Sequence, residues 1–155
     1  MGVSGSGKTS VGQALAQRLH CPFTDADSFH SEANRAKMGA GIPLTDEDRL
    51  PWLRAIGGAV RTSSIGGTDH VFACSALKAE YRRILDPMAE CKLIYLRGSR
   101  ELLAERLAGR QGHFFNADLL RSQLDTLEEP EDATILDIAL PLPILVDSVL
   151  ESLRS

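Results

Sequence analysis

Long hydrophobic runs are missing from this 155-residue chain: no apolar stretch approaches the roughly 20 residues of a membrane span, which excludes a membrane-embedded helix. Positive charge is also scarce. Seventeen Lys and Arg face 21 Asp and Glu, a net charge of −4, which excludes a broad non-specific nucleic-acid surface while leaving room for a local arginine cluster that grips a small anion. Cysteine is limited to Cys21, Cys74 and Cys91, without CxxC or CxxH spacing. That pattern excludes a zinc ribbon or a disulfide framework and fits reduced structural thiols. There is no internal repeat, no low-complexity tract and no charged-then-apolar N-terminal export segment, so a cytoplasmic protein is expected.

What is present is an ordinary globular composition, 43% hydrophobic and 25% charged, enough for a single domain over 1–155 with its own core. Gly2-Val3-Ser4-Gly5-Ser6-Gly7-Lys8-Thr9 is a complete GxxxxGK[ST] phosphate-binding loop. Its glycines let the backbone curl so that N–H groups converge on phosphate oxygens, and the helix that follows adds its positive end. Lys8 then reaches the outer phosphates and Thr9 offers a hydroxyl to Mg²⁺. A flexible Gly/Ser tail would share this composition, and Met1-Gly2 with Ser6 fits the short MGxxx[ST] acylation pattern. Neither explains all four fixed positions followed directly by a helix.

Val11, Leu15, Ala16 and Leu19 recur at helical spacing, so the loop opens into an amphipathic helix. A short extended piece at 23–27 follows, then a helix from Ser28 to Gly39. Thr45 with Asp46, Glu47 and Asp48 caps another helix, in which Pro51 is tolerated only near the first turn. Short apolar runs at 70–74, 92–96 and 134–138 read as buried strands; helical segments lie near 78–86, 99–109 and 117–127, and a last helix runs from about Ile144 to Leu153. The alternation predicts an α/β fold with a parallel sheet covered by helices on both faces.

Many nucleotidases of this loop type hold the metal with an Asp at the end of a later strand, but here that strand ends Cys74-Ser75-Ala76-Leu77-Lys78 without an acid. Asp25 and Asp27 are the substitute. As alternate residues of a strand they would point to one side, one supporting the Mg²⁺ shell and the other accepting the proton of an attacking hydroxyl. Arg106 and Arg110, four apart on one helical face and followed by Gln111-Gly112-His113-Phe114-Phe115, suggest a lid at about 106–120 that neutralises charge and excludes water. Surface charge is the bland alternative. Trp52 beside Pro51 reads as core.

Several stretches together resemble the gluconokinase family within the shikimate-kinase-like phosphate-loop kinases: MGVSGSGKT at 1–9, DADSFH at 25–30, NRAKMGAGIPLTDEDRLPWL at 34–53, CSALKAEYR at 74–82, RLAGRQGHFF at 106–115, SQLDTLEEP at 122–130 and DIALPL at 137–142. The resemblance implies transfer of the ATP γ-phosphate to the primary hydroxyl of D-gluconate, giving 6-phosphogluconate for the pentose phosphate pathway. Carried over by position, it implies that Gly2 to Thr9 and Arg106 hold ATP, that Lys8, Asp27 and Arg110 are catalytic, and that Thr9 and Asp25 serve Mg²⁺. It also implies an acceptor pocket of Asp27, His30, Lys37, Arg49, Lys78 and Arg82, with the planar fork of Arg49 suited to the sugar-acid carboxylate. His113 is implied either as a lid residue or as a helix terminus.

The family carries a hydrophobic strand before the loop, and none stands ahead of Met1. Four or five buried aliphatic side chains are worth roughly 6–15 kcal/mol, comparable with a whole domain's stability of about 5–15 kcal/mol. The expectation is therefore that Met1 corresponds to an internal position of a longer chain. The alternatives are a shortened, catalytically impaired nucleotide binder, which would pair with a partner through exposed sheet edges, and a nucleoside monophosphate kinase. The implied partners are ATP and D-gluconate, with no nucleic acid or membrane, and with a homodimer left open.

Overall fold

The computed structural model describes residues 1–110 and 117–154. Helix α1 (Lys8–Leu19) rises directly from the loop and buries Val11, Leu15 and Ala16; it ends at His20, which adopts a left-handed φ of 54°. Strand β1 (Phe23–Asp25) is only three residues long, because Ala26–Phe29 wind into a 3-10 helix capped by the Asp25 side chain. This shortens the predicted 28–39 helix to α2 (Glu32–Gly39), which starts on the Ser31 hydroxyl.

Helix α3 (Asp46–Ile65) begins with a reciprocal capping box between Thr45 and Asp48. Pro51 therefore falls in the second turn, where it has no N–H to offer the carbonyl one turn back. Burial of Trp52, Leu53, Ile56 and Val60 on one face holds the helix through that defect. Then come β2 (Val71–Ala73), α4 (Ala79–Leu85), β3 (Ile94–Arg97), α5 (Arg100–Ala108), α6 (Ala117–Thr126), β4 (Thr134–Asp137) and α7 (Leu142–Arg154). Among the described residues no helix is long and apolar enough to cross a membrane.

The strands pair in parallel as predicted. β1 lies beside β2 with Asp25 opposite Ala73, and β3 beside β4 with Arg97 opposite Asp137. The backbone of Met1 and Gly2 lies between the two pairs and bonds to both. Gly2 N donates to Ser75 O at 3.3 Å, Leu96 N donates to Met1 O at 3.0 Å, and the Met1 amino group donates to Ile94 O. Helices α1 and α7 pack together and against the strands, while α3 packs on α4. The shared core includes Val3 of the loop, Leu15, Leu53, Ile56, Leu77, Leu96, Leu103, Ile138 and Val149. The loop is thus anchored at the carboxyl ends of the strands, where parallel α/β sheets place their ligands.

Candidate active site

The phosphate loop is shaped by its glycines and by α5. Gly5 and Gly7 have φ of 82° and 90°, in the left-handed region, and a Cβ on Gly5 would stand 2.9 Å from Leu107 Cγ and 3.2 Å from the Leu103 carbonyl. The Lys8 ammonium donates to Val3 O at 3.0 Å, closing the loop on itself. Burial pulls the Lys8 ammonium below the ordinary lysine value; the Asp27 and Asp25 carboxylates oppose this, and Arg110 adds like-charge repulsion. Burial also pushes the Cys74 thiol up to about 11, so the cysteine beside Lys8 presents a neutral group.

Helix α1 starts at Gly7 with no side-chain cap and no acid in its first turn, in contrast to the three acids that open α3. Its free N–H groups and dipole suit an anion supplied from outside the chain. Thr9 Oγ1 donates to Asp25 Oδ2 at 2.7 Å, while Asp25 Oδ1 accepts from Asp27 N at 3.0 Å. The second contact corrects the reasoning for the acid pair: Asp27 lies in the 3-10 helix, not on the strand, and the two acids are arranged by an Asp turn. Among the described residues no cluster of three His, Cys, Asp or Glu could hold a metal by itself. A hydroxyl and one carboxylate beside a phosphate cradle nevertheless fit Mg²⁺, which is typically held by one or two protein oxygens plus substrate phosphates and water.

On the other side of Asp27 lies a polar wall. His30 is buried, stacks on Trp52 with ring centroids 4.2 Å apart, and places Nε2 4.0 Å from Asp27 Oδ1. The indole N–H of Trp52, a core residue as expected, donates to Ala26 O at 2.7 Å and so fixes the 3-10 helix. Burial lowers the His30 value below 6.5; Asp27 opposes the shift, and Arg35 and Arg49 reinforce it. The unfolded chain then binds this proton more readily than the folded one, so this contribution to stability is complete above about pH 6.5 and falls as the pH drops through the folded value. Thermal melts at pH 7.5 and 5.5 are expected to show a loss of stability in the parent that is smaller in His30→Gln; equal losses would contradict it.

The two lysines of the wall are held by the chain's own acids. Lys37 Nζ lies 2.8 Å from both Asp48 carboxylate oxygens, and this contact, with the Thr45 N–H, lowers the Asp48 value to about 2. Lys78 Nζ lies 2.9 Å from Asp46 Oδ2, and Tyr81 donates its hydroxyl to Asp46. Arg49 Nη1 donates to the same Tyr81 hydroxyl at 3.1 Å. The Lys78 and Arg49 charges stand 5.4 and 5.6 Å from the centroid of the Tyr81 ring, within cation–π range. Arg82 faces the backbone, donating to Ala76 O at 2.9 Å and Leu77 O at 3.3 Å, and so holds the turn in which Ala76 takes a φ of 47°.

The family described as shikimate kinase matches residues 4–139. A probable gluconokinase from Dictyostelium discoideum is 45% identical over 168 residues, covering 99% of this chain and 84% of that relative. The thermoresistant gluconokinase of Escherichia coli (strain K12) is 40% identical, covering 99% of this chain and 91% of the relative. The chain belongs to the gluconokinase family. The crystal structure of a gluconokinase from Sinorhizobium meliloti 1021 superposes on it with a TM-score of 0.89 at 45% identity, over 99% of this chain and 89% of that one.

For this gluconokinase-family chain, the structure groups Lys8, Thr9, Asp25, Asp27 and His30 around the end of β1. Arg106 also lies on the loop: a Cβ at Gly7 would be 3.8 Å from its Nη1, and its Nη2 donates to Ile138 O at 2.6 Å. Helix α5 ends at Ala108 with Gly109 as its cap, so Arg110 sits past the helix end and does not share a helical face with Arg106 as the spacing suggested. The hinge at 111–115 lies outside the described residues. The residue reading passed over Tyr81 and Gln123, although both stand inside the family-like blocks at 74–82 and 122–130. Asp46 was read only as a first-turn acid; its partners are 32 and 35 residues away.

Proposed function

We propose that this chain transfers the γ-phosphoryl group of ATP to the primary hydroxyl of D-gluconate. The observation that carries the reading is an uncapped phosphate loop joined, across Asp25 and Asp27, to a cationic wall of Arg49 and Lys78 on Tyr81, in a chain whose relatives over nearly its whole length are gluconokinases. Mg²⁺, held by Thr9 with Asp25 behind it, would neutralise phosphate charge when bound.

Lys8 and the N–H groups at the start of α1 bind and orient the phosphates, with Arg106 on the adenine side and Arg110 toward the phosphates. Asp27 takes the proton of the acceptor hydroxyl as its oxygen bonds to γ-phosphorus; the bond from that phosphorus to the bridging oxygen breaks and its electron pair leaves with ADP. Arg49 receives the sugar-acid carboxylate, with His30, Lys37 and Lys78 as polar neighbours. Arg82 contributes through the turn it holds.

The test is ADP release with gluconate, shikimate and nucleoside monophosphates as acceptors. Turnover with gluconate should exceed that with each of the others by at least about 100-fold, since a site that hydrogen-bonds its substrate rejects acceptors that leave those groups unpaired. Equal turnover with a nucleotide acceptor would replace this reading with a nucleoside monophosphate kinase.

A further inference from the structure

We infer that Gln123 is a positioning residue for the phosphate loop, holding its Ser4 arm from α6; the inference rests on the reading of that loop as the ATP site. Ser4 N donates to Gln123 Oε1 at 2.7 Å, and Gln123 Nε2 donates to Ser4 Oγ at 3.0 Å, a reciprocal pair between residues 119 positions apart. A carboxamide offers an acceptor and a donor side by side, which matches the N–H and hydroxyl of one serine. The Ser4 N–H is thereby directed at α6, and the N–H groups left for phosphate are those of the later loop and the first turn of α1.

The clasp continues into the acceptor side. Past the end of α6, Leu127 N donates to Gln123 O at 2.9 Å and Glu128 N donates to Leu77 O at 2.8 Å. The Glu128 carboxylate then accepts from Ala79 N at 2.7 Å, capping α4, whose own N-cap residue Lys78 supplies no side-chain cap. Glu129 accepts from the Tyr95 hydroxyl at 3.0 Å, which ties the same segment to β3. One stretch of chain, Gln123 to Glu129, therefore sets the ATP loop and the helix bearing Tyr81 and Arg82 in a fixed relation. Phosphoryl transfer depends on such alignment more than on affinity.

Steady-state kinetics and thermal melts of the full chain carrying Gln123→Met or Gln123→Glu test this. Gln123→Met removes both bonds at similar size and should lower kcat about tenfold, which is about 1.4 kcal/mol. The KM for gluconate should stay within about twofold, and ATP with Mg²⁺ should still raise the melting temperature. Gln123→Glu restores an acceptor for the Ser4 N–H, and the Ser4 hydroxyl turns to donate to it. Its kcat should recover to within about threefold of the parent, while the added negative charge raises the KM for ATP. Parental kcat in Gln123→Met, or a Gln123→Glu variant no faster than Gln123→Met, would overturn the inference. A parent chain whose melting temperature does not respond to ATP and Mg²⁺ would overturn the nucleotide reading itself, and this inference with it.

Discussion

Lys8→Ala is expected to lower kcat by about 10²–10³-fold, the usual effect of removing a group aimed at charge that develops in the transition state. The ammonium sits inside the loop, bonded to Val3 O, with its charge disfavoured by burial and only partly restored, first of all by the Asp27 carboxylate. Such a cation gains most from an incoming polyanion, because the phosphates supply the compensation that the protein only partly provides. The fold should change little: alanine forgoes one hydrogen bond to Val3 O, worth about 1 kcal/mol net, and also removes the cost of burying the charge. The measurement is kcat by coupled ADP release together with melts in the presence and absence of ATP and Mg²⁺. Loss of turnover with an intact melt and a reduced nucleotide-induced shift is the expected result. Retained turnover would remove Lys8 from the catalytic set.

The phosphate loop was legible in the sequence because its signal is local: four fixed loop positions and a helix with periodic Val11, Leu15 and Ala16. The strand and helix order was legible for the same reason. What escaped depends on contacts that spacing does not encode. The end of α5 at Ala108 separates Arg110 from the face that carries Arg106. The pairing of Lys37 with Asp48 and of Lys78 with Asp46 spans 11 and 32 residues and follows from α2 and α4 both meeting the start of α3. Gln123 reads as an ordinary helix polar residue until α6 is set against the loop. Both Tyr81 and Gln123 stand inside the family-like blocks, although the chemistry of single residues did not single them out.

Asp27→Asn is expected to lower kcat by about 10²–10⁴-fold, the range for loss of a positioned general base. The proposed division of work between the two acids follows their contacts. Asp25 commits one oxygen to the Thr9 hydroxyl and the other to the Asp27 amide, so it faces the loop and the metal side. Asp27 rides on the 3-10 helix fixed by Trp52 and Ala26, with a side chain 71% exposed toward the acceptor wall. Asparagine keeps the size and one hydrogen-bond acceptor but cannot take the acceptor hydroxyl's proton as a carboxylate does. The nucleotide-induced rise in melting temperature should therefore persist in Asp27→Asn while transfer to gluconate collapses. In Asp25→Asn, by contrast, the Thr9 and metal side is altered and the response to ATP with Mg²⁺ should weaken as well. Should Asp27→Asn turn over gluconate at the parental rate, the proton must leave by another route and Asp27 is no more than a polar neighbour of His30.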